Sequence, residues 1–457
     1  MDMFPDEILL AIFDLCAHED PFTKSEIQAW QSLVHVCRRW RGIVFGSPRR
    51  LNLRLYCTTM TPVKDMLDVW PALPLLIRDD DNIVTEGVDS IVAALERSDR
   101  VCQIILWHAP RWNFEKVLAA TQEPFPELTN LNLRSYDVEL VFPDSFLGAS
   151  TPCLQSITLD RISFPGLPKL LLSAPHLVKI CFTNIPRSGY ISPEEVLVAL
   201  STLTSLESLW LEFQSPQSCP DRPGASRHPP PPIRSVLPVL TSFRFKGVCE
   251  YLEDLVAHID APQLGSLHIT FFDQIVIGTS QFIQFISRTP RLKELEKAYI
   301  AFGGDTAWLT LSSQTFGHGD LNVTVSCEQL DRQISSLIQV WTSSLPPFSM
   351  LEDLYVYKTP YWQLLWQHNI ENMLWLELLR PFTGVKNLYL SEEFAPHVAS
   401  ALQELVRGRT TEVLPVLRNI FLEGLQPSAP VQECIGQFVA TRQVAGHPIV
   451  ISFWDRG

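Results

Sequence analysis

One hexad recurs along most of this chain and limits its possible folds more than any other feature: leucine, two residues, apolar, one residue, apolar. It reads LTNLNL from Leu128, LQSITL from Leu154, LVKICF from Leu177, LESLWL from Leu206, LTSFRF from Leu240 and LGSLHI from Leu264. VCQIIL from Val101, LEDLYV from Leu351, VKNLYL from Val385 and LRNIFL from Leu417 belong to the same series. From Val101 to Leu264 successive starts lie, by subtraction, 27, 26, 23, 29, 34 and 24 residues apart. Alternation of period two inside each hexad marks a short strand. Stretches with helical spacing lie between the hexads: PEEVLVAL from Pro193, EYLEDLVAHI from Glu250, SQFIQFISR from Ser280 and HVASALQELV from His397. A unit of one strand and one helix is too small to bury its own apolar side, so such units stack on their neighbours.

The hexad resembles the strand of a leucine-rich repeat, whose family pattern is L-x-x-L-x-L followed three residues later by asparagine or cysteine. Here Tyr136, Ile162, Ile185 and Val248 stand in that last place. With the uneven period, this departure predicts an irregular, leucine-rich-repeat-like α/β solenoid over 49–457, with parallel strands on its concave face and helices outside. LKELEKAYIAF from Leu292 puts Lys297 where an apolar residue belongs, which shifts that strand to Ala298–Phe302, and LNVTVSC from Leu321 is a further strand without the full hexad. Gln214 to Ser235 carries four consecutive prolines; proline cannot donate to a strand ladder, so this stretch is an exposed loop.

A formal net charge of -14 repels phosphate backbones, which argues for protein partners rather than nucleic acid. No apolar run reaches the ~18 residues that span a bilayer. The ten cysteines contain no C-x-x-C pair and sit mostly among Leu, Ile and Phe, so most are expected in the core and none in disulfides. These features predict a soluble protein of the cytoplasm or nucleus, without a membrane contact.

The N-terminus behaves differently. In FPDEILLAIFDLC from Phe4, Pro5-Asp6-Glu7 is a helix start, and Ile8, Leu9, Ile12, Phe13 and Cys16 make one apolar stripe. Thr23-Lys24-Ser25-Glu26 has capping-box spacing, and Ile27, Trp30, Leu33, Val34, Cys37, Trp40 and Val44 form a second stripe behind it. So few residues cannot bury so many large side chains among themselves. FPDEIL and LVHVCRRW resemble the two halves of an F-box, which opens with L-P-x-E-[IVL]-[IL] and ends with L-x-x-[VAL]-[CS]-[RK]-x-W. Phe4 replaces the usual leucine, and His18 to Lys24 is an insert. The following SPRRLNL, from Ser47, resembles the S-P-R-x-L-x-L strand that leads into the repeats of fungal F-box proteins.

The resemblance implies an F-box-like helical module over 1–48 that docks on Skp1, the linker of a cullin-type ubiquitin ligase. The chain would then be that ligase's substrate-recognition subunit. The contacts it carries over are Pro5, Ile8, Leu9, Ile12, Phe13, Val36, Cys37 and Trp40. The alternative is a non-catalytic scaffold in which the same helices only cap the solenoid.

Side chains alternate along a strand, so the third, fifth and seventh positions of each hexad face the hollow. Trp210, Arg244, Tyr355, Tyr357, Tyr389 and Phe421 stand out there as candidate substrate contacts, because aromatic and arginine side chains concentrate binding energy. Either the late rings anchor a substrate protein, or the chain's own C-terminal segment PIVISFWDRG folds over them. No nucleophile elbow, phosphate loop, kinase signature or H-E-x-x-H occurs, and the histidines are isolated. Asp79-Asp80-Asp81-Asn82 lacks the glycine and distal glutamate of a calcium loop and reads as a polar turn. No catalysis, metal or cofactor is expected.

Overall fold

A computed structural model describes residues 4–17, 29–48, 50–59, 63–79, 88–107, 111–135, 139–219, 234–273, 278–293, 295–313, 320–342, 350–359, 370–405, 411–424 and 429–454. The capping-box signal, the whole inserted segment His18 to Lys24, Tyr136, Asp80 to Asn82 and the proline run lie outside them, and the described ends of Gln214 to Ser235 depart from an exposed loop, with Ser218 and Cys219 buried and Ser235 opening a short strand. The chain divides into two compact units, Met1–Leu177 and Val178–Gly457.

Unit 1 opens with three short helices, α1 (Asp6–Ala17), α2 (Ala29–Val36) and α3 (Arg38–Gly46). α2 and α3 are split at Cys37, whose extended backbone leaves both helices and whose sulfur accepts the Trp40 N–H at 3.5 Å. Strands β1 (Leu55–Cys57), β2 (Leu75–Arg78), β3 (Val101–Leu106) and β4 (Asn130–Arg134) follow, then β5 (Leu140–Val141), β6 (Ser156–Asp160) and β7 (Ile162–Ser163). β1, β2, β3, β4 and β6 pair side by side in parallel, and β5 with β7 makes a small separate ribbon. Helices α4 (Val63–Val69), α5 (Val88–Leu95), α6 (Arg111–Ala120) and α7 (Leu167–Leu172) alternate with these strands. The repeat therefore begins two strands before the first recognisable hexad. The described residues of SPRRLNL form a turn and not a strand, with Leu51 and Leu53 buried in it, and among the described residues pairing starts only at Leu55.

Unit 2 holds β8 (Lys179–Ile185), β9 (Ser208–Phe213), β10 (Ser235–Val236), β11 (Ser242–Gly247), β12 (Ile259–Asp260), β13 (Ser266–Phe271), β14 (Lys297–Phe302), β15 (Thr306–Ser312), β16 (Asp320–Ser326), β17 (Asp353–Lys358), β18 (Asn387–Leu390), β19 (Asn419–Glu423) and β20 (Val450–Trp454). Between them run α8 (Pro193–Leu200), α9 (Cys249–Ala257), α10 (Ser280–Arg288), α11 (Leu330–Thr342), α12 (Asn372–Leu379), α13 (Ala395–Glu404) and α14 (Ala429–Val444). Its main sheet runs β8-β9-β11-β13-β16-β15-β14-β17-β18-β19-β20. The expectation of parallel strands fails at one place: β15 is antiparallel to both β14 and β16. A tight turn at Gly303 folds β14 back on β15, and the Gly303 N–H donates to the Thr306 carbonyl at 2.8 Å. β16 then returns to pair with β13, and α11 carries the chain back across to β17. Such adjacent antiparallel pairs need only a turn, whereas each parallel pair needs a crossover.

The repeat's alternation sets the core. Fourth and sixth hexad positions such as Leu209, Leu211, Leu354, Val356, Leu388 and Leu390 are at most 2% exposed. Positions between them are half-buried on the opposite, open face of the sheet. Ile162 and Ile185, standing where the repeat family has its asparagine, are buried apolar packing instead. Among the cysteines, Cys57, Cys181, Cys219, Cys249 and Cys327 are buried, but Cys16, Cys37 and Cys153 are exposed, and all ten are free thiols. The core accounts for half of them, fewer than expected, because Cys16, Cys37 and Cys153 sit on outward-facing helix and turn positions. Burial pushes the Cys57 and Cys219 thiols up to about 11, which keeps them protonated and inert at neutral pH.

Candidate interaction surfaces

Two surfaces hold the predicted site residues. On α1, residues 8, 12 and 15 share one side of the helix, and Ile8, Ile12 and Leu15 are 47%, 44% and 79% exposed. Leu9 and Phe13 point the other way, at 4% and 0%. Phe13 packs against Trp40, with ring centroids 4.7 Å apart, and Trp40 is half-buried as a result. Pro5, Val36 and Cys37 are exposed. Arg39 of α3 ties the start of α1 down through Asp6 Oδ1 at 2.7 Å and the Phe4 carbonyl at 2.6 Å. On the far side of the module, Trp30 meets Trp70 at 5.3 Å and Phe45 meets Trp70 at 6.1 Å.

The second surface is the open face of the unit 2 sheet. In-register parallel strands place equivalent residues one strand spacing apart, close enough for rings to stack. β14, β17, β18 and β19 put Tyr299, Tyr355, Tyr389 and Phe421 in one row. Their centroids are 4.6, 4.1 and 4.4 Å apart and their planes 14°, 10° and 7° apart. A polar row runs beside this ladder: the Asn387 amide donates to Asp353 Oδ1 and the Asn419 amide to Asn387 Oδ1, each at 2.7 Å. Burial raises the pKa of the Tyr355 and Tyr389 phenols, and the neighbouring phenol and Asp353 add to this for Tyr355, so both hydroxyls stay protonated at neutral pH.

Of the expected contacts, Tyr355, Tyr389 and Phe421 belong to this ladder. Tyr357 lies one row further along, in register with Ala301. Tyr299 was missed, because Lys297 breaks the hexad, although the alternation KAYIAF places it on the same face. Trp210 and Arg244 are brought together with each other: the Arg244 guanidinium lies 5.0 Å from the Trp210 ring centroid. In unit 1 a comparable group was not anticipated, with Arg78 and Arg134 at 5.6 and 5.3 Å from the Trp107 ring. Asp79, the described part of the acidic turn, accepts the backbone N–H of Trp107 through Oδ2 at 2.6 Å.

The C-terminal strand reaches the ladder. β20 pairs with β19, and Trp454 crosses to meet Tyr389 at 5.5 Å and Tyr355 at 5.9 Å, tilted 78° and 68° to their planes. Its indole nitrogen donates to the Leu390 carbonyl at 3.4 Å. Among the described residues no cluster of His, Cys, Asp or Glu could hold a metal ion, and no helix is long and apolar enough to cross a membrane.

No protein-family model matches the chain, and no curated protein does. Among solved structures, the leucine-rich repeat-containing protein LegL7 from Legionella pneumophila aligns over 87% of this chain and 99% of its own, at 12% identity and a TM-score of 0.27. A score that low falls short of a common fold, so the description of this molecule rests on its own strands and helices. Those make it a mixed α/β repeat protein with a long, mostly parallel sheet in unit 2.

Proposed function

We propose that the chain is the substrate-receptor subunit of an SCF-type ubiquitin ligase. It docks on a Skp1-like linker protein through its N-terminal helices and holds a target protein on the open strand face. It performs no chemical step; it raises the effective concentration of a target lysine beside a loaded conjugating enzyme. The observation that carries this reading is the outward apolar face of α1, with Ile8, Ile12 and Leu15 uncovered while Leu9 and Phe13 serve the module's own core. The F-box-like residues FPDEIL and LVHVCRRW support it. Within the docking set, Ile8, Ile12 and Val36 make direct contact, and Leu9, Phe13 and Trp40 hold α1 in place.

A second reading, an interaction scaffold with a helical cap, draws on the Trp30, Phe45 and Trp70 cluster that fastens the helices to the first repeats. Co-expression with a Skp1-like protein, followed by gel filtration, separates the two. The ligase reading expects a one-to-one complex that the double variant Ile8→Asp, Ile12→Asp abolishes while circular dichroism stays unchanged. Absence of a complex, with the variant unfolding, would leave the scaffold.

A further inference from the structure

We infer that the outer edge of the tyrosine ladder is a subsite for a tryptophan side chain of the captured protein, and that Trp454 fills it in the free chain. The inference deepens the target-capture half of the proposed function and rests on it.

Ladder geometry dictates what the subsite can accept. Both faces of Tyr355 are taken, by Tyr299 and Tyr389, and both faces of Tyr389 by Tyr355 and Phe421. Only their edges remain for a further ring. Ring edges carry partial positive charge and ring faces partial negative charge, so the favourable visitor is a flat aromatic laid face-down across the edges. Trp454 adopts that arrangement, near-perpendicular to two successive rungs at once. A ring spanning two rungs must be large, which favours indole over phenyl. The Leu390 carbonyl, 3.4 Å from the indole nitrogen, adds an acceptor that phenyl cannot use.

The present occupant is weakly held. Among the described residues β20 is the last strand of its sheet and pairs on one side only, with β19. Ile451 and Phe453 are 39% and 52% exposed, whereas Ile420 and Leu422, their register partners on β19, are 0% and 2%. Burial of Ile451 and Phe453 thus contributes little to keeping β20 in place, and the strand ladder and Trp454 do most of the holding. An extended segment of a partner with a correctly placed tryptophan repeats both interactions on the same edge, a mode in which backbone pairing supplies affinity and a side-chain subsite supplies selectivity.

The test uses the full-length protein and N-acetyl-L-tryptophanamide, titrated by calorimetry. Trp454→Ala binds the probe at least tenfold more tightly than wild type, and adding Tyr389→Ala removes the gain. N-acetyl-L-phenylalaninamide binds Trp454→Ala at least fivefold more weakly than the tryptophan probe. Trp454→Phe, which keeps a ring in place but loses the N–H and part of the area, shows a smaller gain and serves if the alanine variant fails to fold. Equal binding by wild type and both variants, or equal binding of the two probes, overturns the inference. Skp1 complex formation is read separately. A probe result of that kind with the complex intact removes only this subsite, and a positive probe result without the complex removes only the ligase assignment.

Discussion

Arg442 sits fully buried on α14, where a charged side chain has no solvent to rely on. Its guanidinium donates to the carbonyls of Leu414, Pro415 and Leu417 at 3.2, 3.1 and 3.5 Å, and lies 5.9 Å from the centre of the Phe438 ring. Those carbonyls belong to a turn in which Leu414 takes a positive φ of 50°. One guanidinium nitrogen, Nη2, makes all three contacts and adds to the turn's own bond, in which the Leu417 N–H donates to the Leu414 carbonyl at 3.1 Å. Arg442→Met removes the side-chain donor to the Pro415 and Leu417 carbonyls and is expected to cost about 2–4 kcal/mol, read as a lowered denaturant midpoint. Arg442→Lys keeps a charge and N–H donors but carries them on a shorter, differently shaped head, and should recover part of the loss. Histidines supply a pH dependence. Burial, and then the Arg244 guanidinium, holds His268 below its usual pKa against the pull of Asp320, and burial does the same for His397. The unfolded chain therefore takes up these protons first. Their contribution to stability is complete above about pH 6.5 and is lost as the pH falls below it. Comparing unfolding midpoints at pH 7.5 and 5.5 should show a drop that the double variant His268→Gln, His397→Gln reduces.

Between elements, the same kind of support passes from one repeat to the next. α10 has no side-chain cap of its own at Thr279. Glu253 of α9 supplies one, accepting the backbone N–H groups of Gln281 at 2.9 Å and Phe282 at 2.7 Å and the Ser280 hydroxyl at 3.1 Å. At the other end Arg288 reaches back to Asp260 at 2.7 Å and to the Val256 carbonyl at 3.2 Å. A cap borrowed from a neighbour couples the two helices, so Glu253→Ala should destabilise the protein by roughly 1–2 kcal/mol. Thermal denaturation measures this directly, and Glu253→Gln, which keeps the acceptor without the charge, should recover part of the loss. By contrast, α8 is capped within its own sequence. Ser192 Oγ accepts the Glu195 N–H at 3.2 Å and Glu195 Oε2 accepts the Ser192 N–H at 2.9 Å. The helix from Pro193 was legible from its spacing, though its box at Ser192 was not singled out; the cap from Glu253 was not legible, since its partners lie 27 to 29 residues away.

Across the whole molecule, what could be read in advance divides by the range of the interaction responsible. Each hexad is short, and its alternation follows from the two-residue period of a strand, so strand positions, their buried sides and the open-face identity of Tyr355, Tyr389 and Phe421 were determined by the sequence itself. So were the start of α1 and its apolar stripe, which depend on residues within a few turns of one another. Pairing was left to the tertiary structure. Nothing in TAWLTLS distinguishes an antiparallel insertion from another repeat strand, and it is the pairing of β16 with β13 and of β14 with β17 that sets the turn's two strands inside the sheet. Likewise the stripe on α1 does not reveal which residues turn inward until Trp40 has closed over Phe13. The ladder of rings, the indole laid across it and the guanidinium under the last turn all join residues brought together by stacking of separate repeats. A local pattern specifies which face a side chain takes; only the register between strands specifies what it meets there.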